Sequence, residues 1–188
     1  MAILQRGLTL EEFLDLPESE PELEYVDGVV TQKVPPKFHH SALQGSLVEQ
    51  VNRVAAPGRI AYAFPELRTT FAGASLVPDV AVYLWGRIPL DAAGELVEDA
   101  LEPPDIAFEV LSPDQSIGSM RRKCAWYIEN GVRVSVLIDP RVRSRSVTLF
   151  RPGAPPATIH GDETIDLDDI VPGFQLTVQQ LFSALSFR

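Results

Sequence analysis

The chain has 188 residues, with 16 Lys and Arg against 26 Asp and Glu, a formal charge of −10. That length suits one compact domain spanning residues 1–188, and its 45% apolar and 22% charged residues place it in the ordinary globular class. The composition excludes a charge-driven nucleic-acid coat, a disulfide framework, because Cys124 is its one cysteine, and a spanning helix, because no apolar run approaches the roughly 18–20 residues required.

MAILQRGLTLEEF carries no signal-peptide core and no small-residue cleavage site, so the cytoplasm is the expected compartment and no membrane is expected as a partner. Thr9 and Glu12 make a capping box, which predicts a short helix to about Leu16. LEYVDGVVTQKV reads as a hairpin turning on Asp27-Gly28. From Phe38 to about Ala55, Leu43, Leu47, Val51 and Val54 recur at helical spacing, and Pro57-Gly58 stops the run. IAYAF, LRTTF and LVPDVAVYLW follow as strand-like pieces. The polar, acidic stretch from Gly86 to Pro104 reads as a long surface loop.

DIAFEVLS reads as a buried strand, and Ser116–Asn130 as a second long helix capped by Gly131. VRVSVLIDP and RSVTLFRP read as two strands paired through the turn at Pro140–Ser144. ATIHGDETIDL suggests another small hairpin, and VQQLFSAL a closing helix. The sum is a mixed α/β, or α+β, domain.

Glu109 stands inside Ile106-Ala107-Phe108-Glu109-Val110-Leu111. A carboxylate inside a buried strand is costly unless paired, protonated or bound to a cation; an edge-strand Glu facing water is the plain alternative. Asp79 is likewise the one charge in LVPDVAVYL, where a strand-end or turn residue is the alternative. Two carboxylates from adjacent strands form a hard, oxygen-rich site for Mg2+ or Mn2+, which the backbone carbonyl of Val110 would extend.

Lys123 lies about 100° round its helix from Cys124, at the edge of a core stripe of Ile117, Met120, Cys124 and Ile128. It reaches over the sheet toward the acids, or snorkels to solvent. Glu24 is either a further acid or a solvent-facing strand residue. His40 faces the core side of the first long helix. The three histidines have no zinc-type spacing. Ser112 lacks the flanking glycines of a nucleophile elbow and reads as loop. Cys124 reads as inert packing. Arg141, Arg143, Arg145 and Arg151 form a small basic patch that reads as a solvated hairpin, with phosphate contact as the alternative.

Pro78-Asp79, thirty residues before Glu109 and with a lysine at hand, is similar to the PD-(D/E)XK nuclease superfamily. Leu111 occupies the position two after the acid, where that pattern usually has its lysine. Variants that move the lysine to the following helix would put it at Lys123. In order come Thr9-Glu11-Glu12-Phe13, Glu24-Tyr25-Val26-Asp27-Gly28, His40, Pro78-Asp79-Val80 and Glu109-Val110-Leu111-Ser112-Pro113. Lys123, Tyr127, Gly131-Val132, Ile138-Asp139-Pro140 and Val171-Pro172-Gly173-Phe174 complete the series.

This series resembles the Uma-two family of restriction-type endonucleases from about Thr9 to Phe182. The resemblance implies a restriction-endonuclease-like core with flanking helices, preceded by an N-terminal helix and hairpin. It implies Asp79 and Glu109 as metal ligands, Lys123 as catalytic lysine, Glu24 as accessory acid and His40 as a family position of unassigned role. The family's aromatic pair before Asp139-Pro140 is replaced by Ser135 and Val136.

Two functions stay open, beside a purely structural reading in which Glu109 is salt-bridged to Lys123 in a polar core. One is a Mg2+- or Mn2+-dependent endonuclease hydrolysing the phosphodiester bonds of DNA. The other is a catalytically inactive nuclease-fold module that binds protein or nucleic acid. The apolar segment LTVQQLFSALSF and exposed sheet edges suggest a homodimer.

Overall fold

The computed structural model describes residues 2–186, with side chains described from Gly7 onward. The strands are β1 (Ala2–Arg6), β2 (Leu23–Val26), β3 (Val29–Gln32), β4 (Ala61–Pro65), β5 (Thr69–Phe71), β6 (Ala74–Leu76), β7 (Val80–Leu84), β8 (Ile106–Val110), β9 (Val134–Asp139), β10 (Ser146–Phe150) and β11 (Ala157–Ile159). The helices are α1 (Leu10–Leu14), α2 (Phe38–Ala55), α3 (Ile117–Glu129) and α4 (Val178–Ser183). They form two sheets, ordered β1-β3-β2-β6-β5 and β11-β10-β9-β8-β7-β4. Pairing is antiparallel except between β8 and β9, which run parallel and are joined by α3 as a βαβ unit. This is the mixed α/β architecture that the patterning implies.

The local reasons are the expected ones. Thr9 caps α1 reciprocally with Glu12. Asp27 and Gly28 both take positive φ, 49° and 75°, as a two-residue hairpin turn requires. On α2 the buried face is His40, Leu43, Leu47, Val51 and Ala55, and it lies against the six-stranded sheet. Gly131 takes φ 101° at the end of α3, and the place a Cβ would occupy is 3.3 Å from Pro103 Cγ. Only glycine fits that turn.

Four expectations need correction. LVPDVAVYLW is not one strand: β6 ends at Leu76 in one sheet, and β7 begins at Val80 in the other. Pro78 lacks the N–H to continue a ladder, so Val77-Pro78-Asp79 becomes the link between sheets. ATIHGDETIDL forms no hairpin, because β11 pairs with β10 instead. On α3, Ile117 is exposed while Tyr127 is fully buried, so the stripe is Met120, Cys124 and Tyr127. Finally, Val178, Leu181 and Phe182 of the C-terminal segment are buried in the core shared with α2, so their apolarity serves the fold, not a dimer face. Phe187 lies outside the described residues. The strand β1 carried no readable signal.

The six-stranded sheet is covered on both faces. Ile106, Phe108 and Val110 of β8 point into the core with α2 and α4, while Ala107 packs with Tyr127 of α3 and with Phe71 and Leu76 of the other sheet. Side chains alternate along a strand, so Glu109 must share the α3 face with Ala107. Strand β8 lies between β7 and β9, which excludes the edge-strand reading of Glu109.

Candidate functional site

Glu109 is buried beneath α3 at the carboxyl end of β8. Val80 lies opposite Phe108 in the β7–β8 register. One step back along β7, Asp79 falls opposite Glu109, at the point where the chain leaves one sheet for the other. Glu24 is fully buried on β2 of the five-stranded sheet. Three carboxylates therefore converge at the seam between the sheets.

Cations answer them. Lys123 Nζ lies 2.7 Å from Glu109 Oε1 and 2.7 Å from Oε1 of Glu24, a residue 99 positions from the lysine. The Val77 amide donates to Glu24 Oε1 at 2.9 Å, and the Tyr127 hydroxyl donates to Glu109 Oε1 at 2.8 Å. Lys33 Nζ lies 2.7 Å from Asp79 Oδ1 and also donates to the Val77 carbonyl at 3.0 Å. Asp79 Oδ2 accepts from the Val110 amide at 2.7 Å and stands 2.9 Å from His40 Nε2. The Gln44 amide, one helical turn beyond His40, donates to the Asp79 carbonyl at 2.9 Å. Among the described residues, no hydrogen bond reaches Glu109 Oε2, and Glu24 Oε2 is buried without a partner.

This field sets the protonation states. Burial pushes Asp79 upward, but the Lys33 charge and the His40 hydrogen bond outweigh it, so the carboxyl lies well below its ordinary value. Glu109 goes the other way. Burial drives it up to about 7, reinforced by Asp79 and Glu24 and opposed by Lys123. Burial would strip the proton from Lys123, yet Glu109 and Glu24 hold it above the ordinary lysine value. The proton of that pair stays on Lys123 because two carboxylates share it. Glu109, flanked by two other acids, gives up its own proton with reluctance. Burial opposes protonation of Lys33 and His40, and Asp79 raises both. Burial and the Glu109 charge push Tyr127 well up, so it stays a donor.

The structure thus brings together Asp79, Glu109, Lys123, Glu24, His40 and the backbone of Val110. Two partners, Lys33 and Tyr127, were not singled out as site residues from the sequence. Tyr127 sits one turn after Lys123 on the same helix face, a signal that i, i+4 spacing carries. Lys33 gave no signal, since its position depends on where the end of β3 meets the Asp79 link.

Residues outside the cluster behave as plain structure. Burial pushes the Cys124 thiol up to about 12, which makes it inert. Ser112 is a loop residue whose amide donates to Gln115. Within the basic patch, Arg141 pairs with Asp139 and Arg151 with Asp169. Among the described residues, no helix is long and apolar enough to cross a membrane.

A mixed sheet with a central parallel pair, joined by a helix that packs on it, is the restriction-endonuclease-like fold. Within that class the chain belongs to the Uma2 family, described as "Putative restriction endonuclease", whose model matches residues 10–179. The chain is similar to a putative nuclease belonging to DUF820 from Anabaena variabilis, known from a crystal structure. The two share 38% identity with a TM-score of 0.91, over 96% of this chain and 100% of that one. A cryo-EM structure of a DrdV–DNA complex is 12% identical at a TM-score of 0.40, over 80% of this chain and 12% of that one, a likeness too loose to carry argument. No curated protein matches.

Proposed function

We propose that the chain is a divalent-metal-dependent endonuclease that hydrolyses phosphodiester bonds of DNA. The observation that carries this reading is the convergence of Glu24, Asp79 and Glu109 with Lys123, drawn from both sheets and α3 into one buried cluster. A stable fold has no need of three buried acids; a hydrolytic site has.

The donors suit Mg2+ or Mn2+. They are hard carboxylate oxygens, and Glu24 Oε2 and Glu109 Oε2 are unclaimed by protein donors among the described residues. Among those residues no three His, Cys, Asp or Glu side chains form a ready-made metal group. The proposed set is Asp79, Glu109 and the Val110 carbonyl, which leaves other ligand positions to water or substrate. When bound, the ion supplies charge neutralisation at the scissile phosphate and an acidified water.

The chain's own groups do the rest. Lys33 and His40 keep Asp79 ionised and fix its orientation. Tyr127 pins Glu109 Oε1 and leaves Oε2 without a protein donor among the described residues. Lys123 holds its proton at Nζ and stands ready to stabilise negative charge on a phosphoryl oxygen. Glu24 fixes Lys123 in place.

Magnesium and manganese titration by calorimetry tests this, with wild type and Glu109→Gln each assayed on DNA. Metal binding and cleavage in wild type, both lost in a folded variant, are expected. One feature favours the second reading, a binding module without catalysis: Lys33 and Lys123 already neutralise the acids without a metal. That reading predicts indifference to chelation and no cleavage by either protein. A homodimer belongs to the nuclease reading, through the apolar face of Tyr62, Leu90 and Leu96. Sedimentation at the monomer mass of 20.7 kDa would remove it.

A further inference from the structure

The two lysines of the cluster are held in different ways. Lys123 Nζ is gripped by two buried carboxylates, Glu24 and Glu109. Lys33 Nζ touches one, Asp79 Oδ1 at 2.7 Å, together with the Val77 carbonyl at 3.0 Å. Its next carboxylate is Glu66, with Oε1 at 3.9 Å. The Glu66 side chain is 45% exposed and that of Asp79 only 3%. Lys33 therefore stands between a buried acid and a solvated one.

The surroundings let the ammonium change sides. Lys33 follows β3 directly, and its amide donates to the Glu22 carbonyl at 2.8 Å, which fixes the backbone there. The four-carbon stem beyond it is flexible. It lines a groove of about 460 Å3 that also takes in Glu20, Glu22, Pro35 and Glu66. Glu66 is anchored as well, because its amide donates to the Asp79 carbonyl at 3.2 Å. The two acids are thus tied to one stretch of backbone, with the lysine between them.

Charge gives the lysine a reason to move. Three ionised carboxylates meet two ammonium groups in the cluster, which leaves one negative charge. A divalent ion at Asp79 and Glu109 exceeds that charge and stands beside the Lys33 ammonium, which repels it. With Lys33 turned to Glu66, the same ion meets two negative charges. Lys123 has no such exit, since both of its carboxylates belong to the cluster. Asp79 Oδ2 is committed to the Val110 amide and to His40, so Oδ1 is the oxygen left for a cation to take.

We propose that Lys33 is a displaceable counter-ion. Its ammonium holds Asp79 Oδ1, and a divalent ion takes that oxygen by driving the ammonium across to Glu66. The proposal rests on the nuclease reading for the ion, whose fit is marked by Glu24 Oε2, buried without a partner. It adds that Lys33 works against metal affinity. A lysine that merely shapes Asp79 predicts the opposite sign, weaker metal binding once it is removed.

Amine acylation read by mass spectrometry tests the displacement in the wild-type chain. Its three lysines are their own references, with Lys37 exposed and Lys123 locked. Mn2+ is expected to raise the labelling rate of Lys33 about tenfold and to leave Lys37 unchanged. Calorimetry supplies the energetic half. Lys33→Met is expected to bind Mn2+ about tenfold more tightly than wild type, and Glu66→Gln more weakly. In the Lys33→Met background Glu66→Gln is expected to change nothing, a non-additivity that plain long-range attraction does not produce. Circular dichroism checks folding. Should Lys33→Met fail to fold, the labelling and the exposed Glu66 site still decide.

Lys33 labelling that ignores Mn2+, affinity unchanged or lowered in folded Lys33→Met, or no Mn2+ binding by either protein would each overturn the proposal. A DNA cleavage assay in Mn2+ separates the two readings. Lys33 released by Mn2+ without cleavage sinks the nuclease reading alone, and cleavage with Lys33 unmoved sinks the counter-ion alone.

Discussion

At the scale of single residues, the cluster is a balance of buried charge, and two substitutions read it. Lys123 is the shared counter-ion of Glu24 and Glu109, so Lys123→Met leaves two buried carboxylates facing each other. Urea unfolding should show a loss of about 3–5 kcal/mol, the usual cost of stripping a partner from a buried ion. Glu109→Gln should be far milder, because Lys123 keeps Glu24. Its signature is in the pH profile. Glu109 in the folded chain titrates at about 7, above the ordinary 4.5. A raised acid stabilises the fold fully below its unfolded pKa and ceases to do so as pH rises through the folded one. Wild-type stability should therefore fall between pH 4.5 and about pH 7, with His40, also raised, contributing in the same direction at higher pH. Glu109→Gln should flatten part of that slope; a wild-type melting temperature that rises over the same interval would contradict it. Both acids were readable in sequence because a lone charge in an apolar run has few explanations. Lys33 was not, because nothing local ties it to Asp79, 46 positions away.

Elements show the same division between local and long-range causes. Helices α1, α2 and α3 and the Asp27-Gly28 hairpin follow from caps, periodicity and turn chemistry, all of which act within a few residues. Where two segments compete for one partner, patterning fails. Strand β11 pairs with β10, the segment after it pairs with the approach to α4 through Thr164 and Thr177, and β6 and β7 separate at Pro78. Strand β4 shows a further device that sequence conceals. It is the edge of the six-stranded sheet, yet the Asn52 side chain of α2 donates to the Ala63 carbonyl at 3.1 Å and accepts from its amide at 2.7 Å. Pro65, two residues on, has no amide to offer. The edge is thus closed by a side-chain amide and a proline, as exposed strands generally must be. Asn52→Ala leaves both Ala63 groups unpaired, and a cost of about 1–3 kcal/mol in urea is expected. Light scattering should rise with concentration as the freed edge finds other chains. Unchanged stability would show that water or a shift of α2 replaces the amide.

For the whole molecule, the position of the site decides how the chain must unfold. Glu24 belongs to the five-stranded sheet, Glu109 to the six-stranded sheet, Asp79 to the link between them, and Lys123 to α3, which lies on the six-stranded sheet and packs Trp126 and Tyr127 toward the other. No one layer contains the cluster. Separating the sheets would expose Glu24, Asp79 and Glu109 with their lysines pulled away, and would also open the apolar contact of Phe71 and Leu76 with Ala107 and Tyr127. Docking and ion pairing therefore stand or fall together, which predicts one cooperative transition for residues 1–188. The two tryptophans report on different regions. Trp126 lies 5.5 Å, ring to ring, from Phe71 of the five-stranded sheet, and Trp85 lies 6.4 Å from Tyr62 on edge strand β4. With Trp85→Phe and Trp126→Phe each leaving one reporter, urea transitions followed by fluorescence should coincide with each other and with circular dichroism. A lower midpoint for the Trp126 reporter would mean that the five-stranded sheet releases first. Glu24 would then leave Lys123 before the fold is lost, and the proposed site would be open to control by whatever stabilises that sheet.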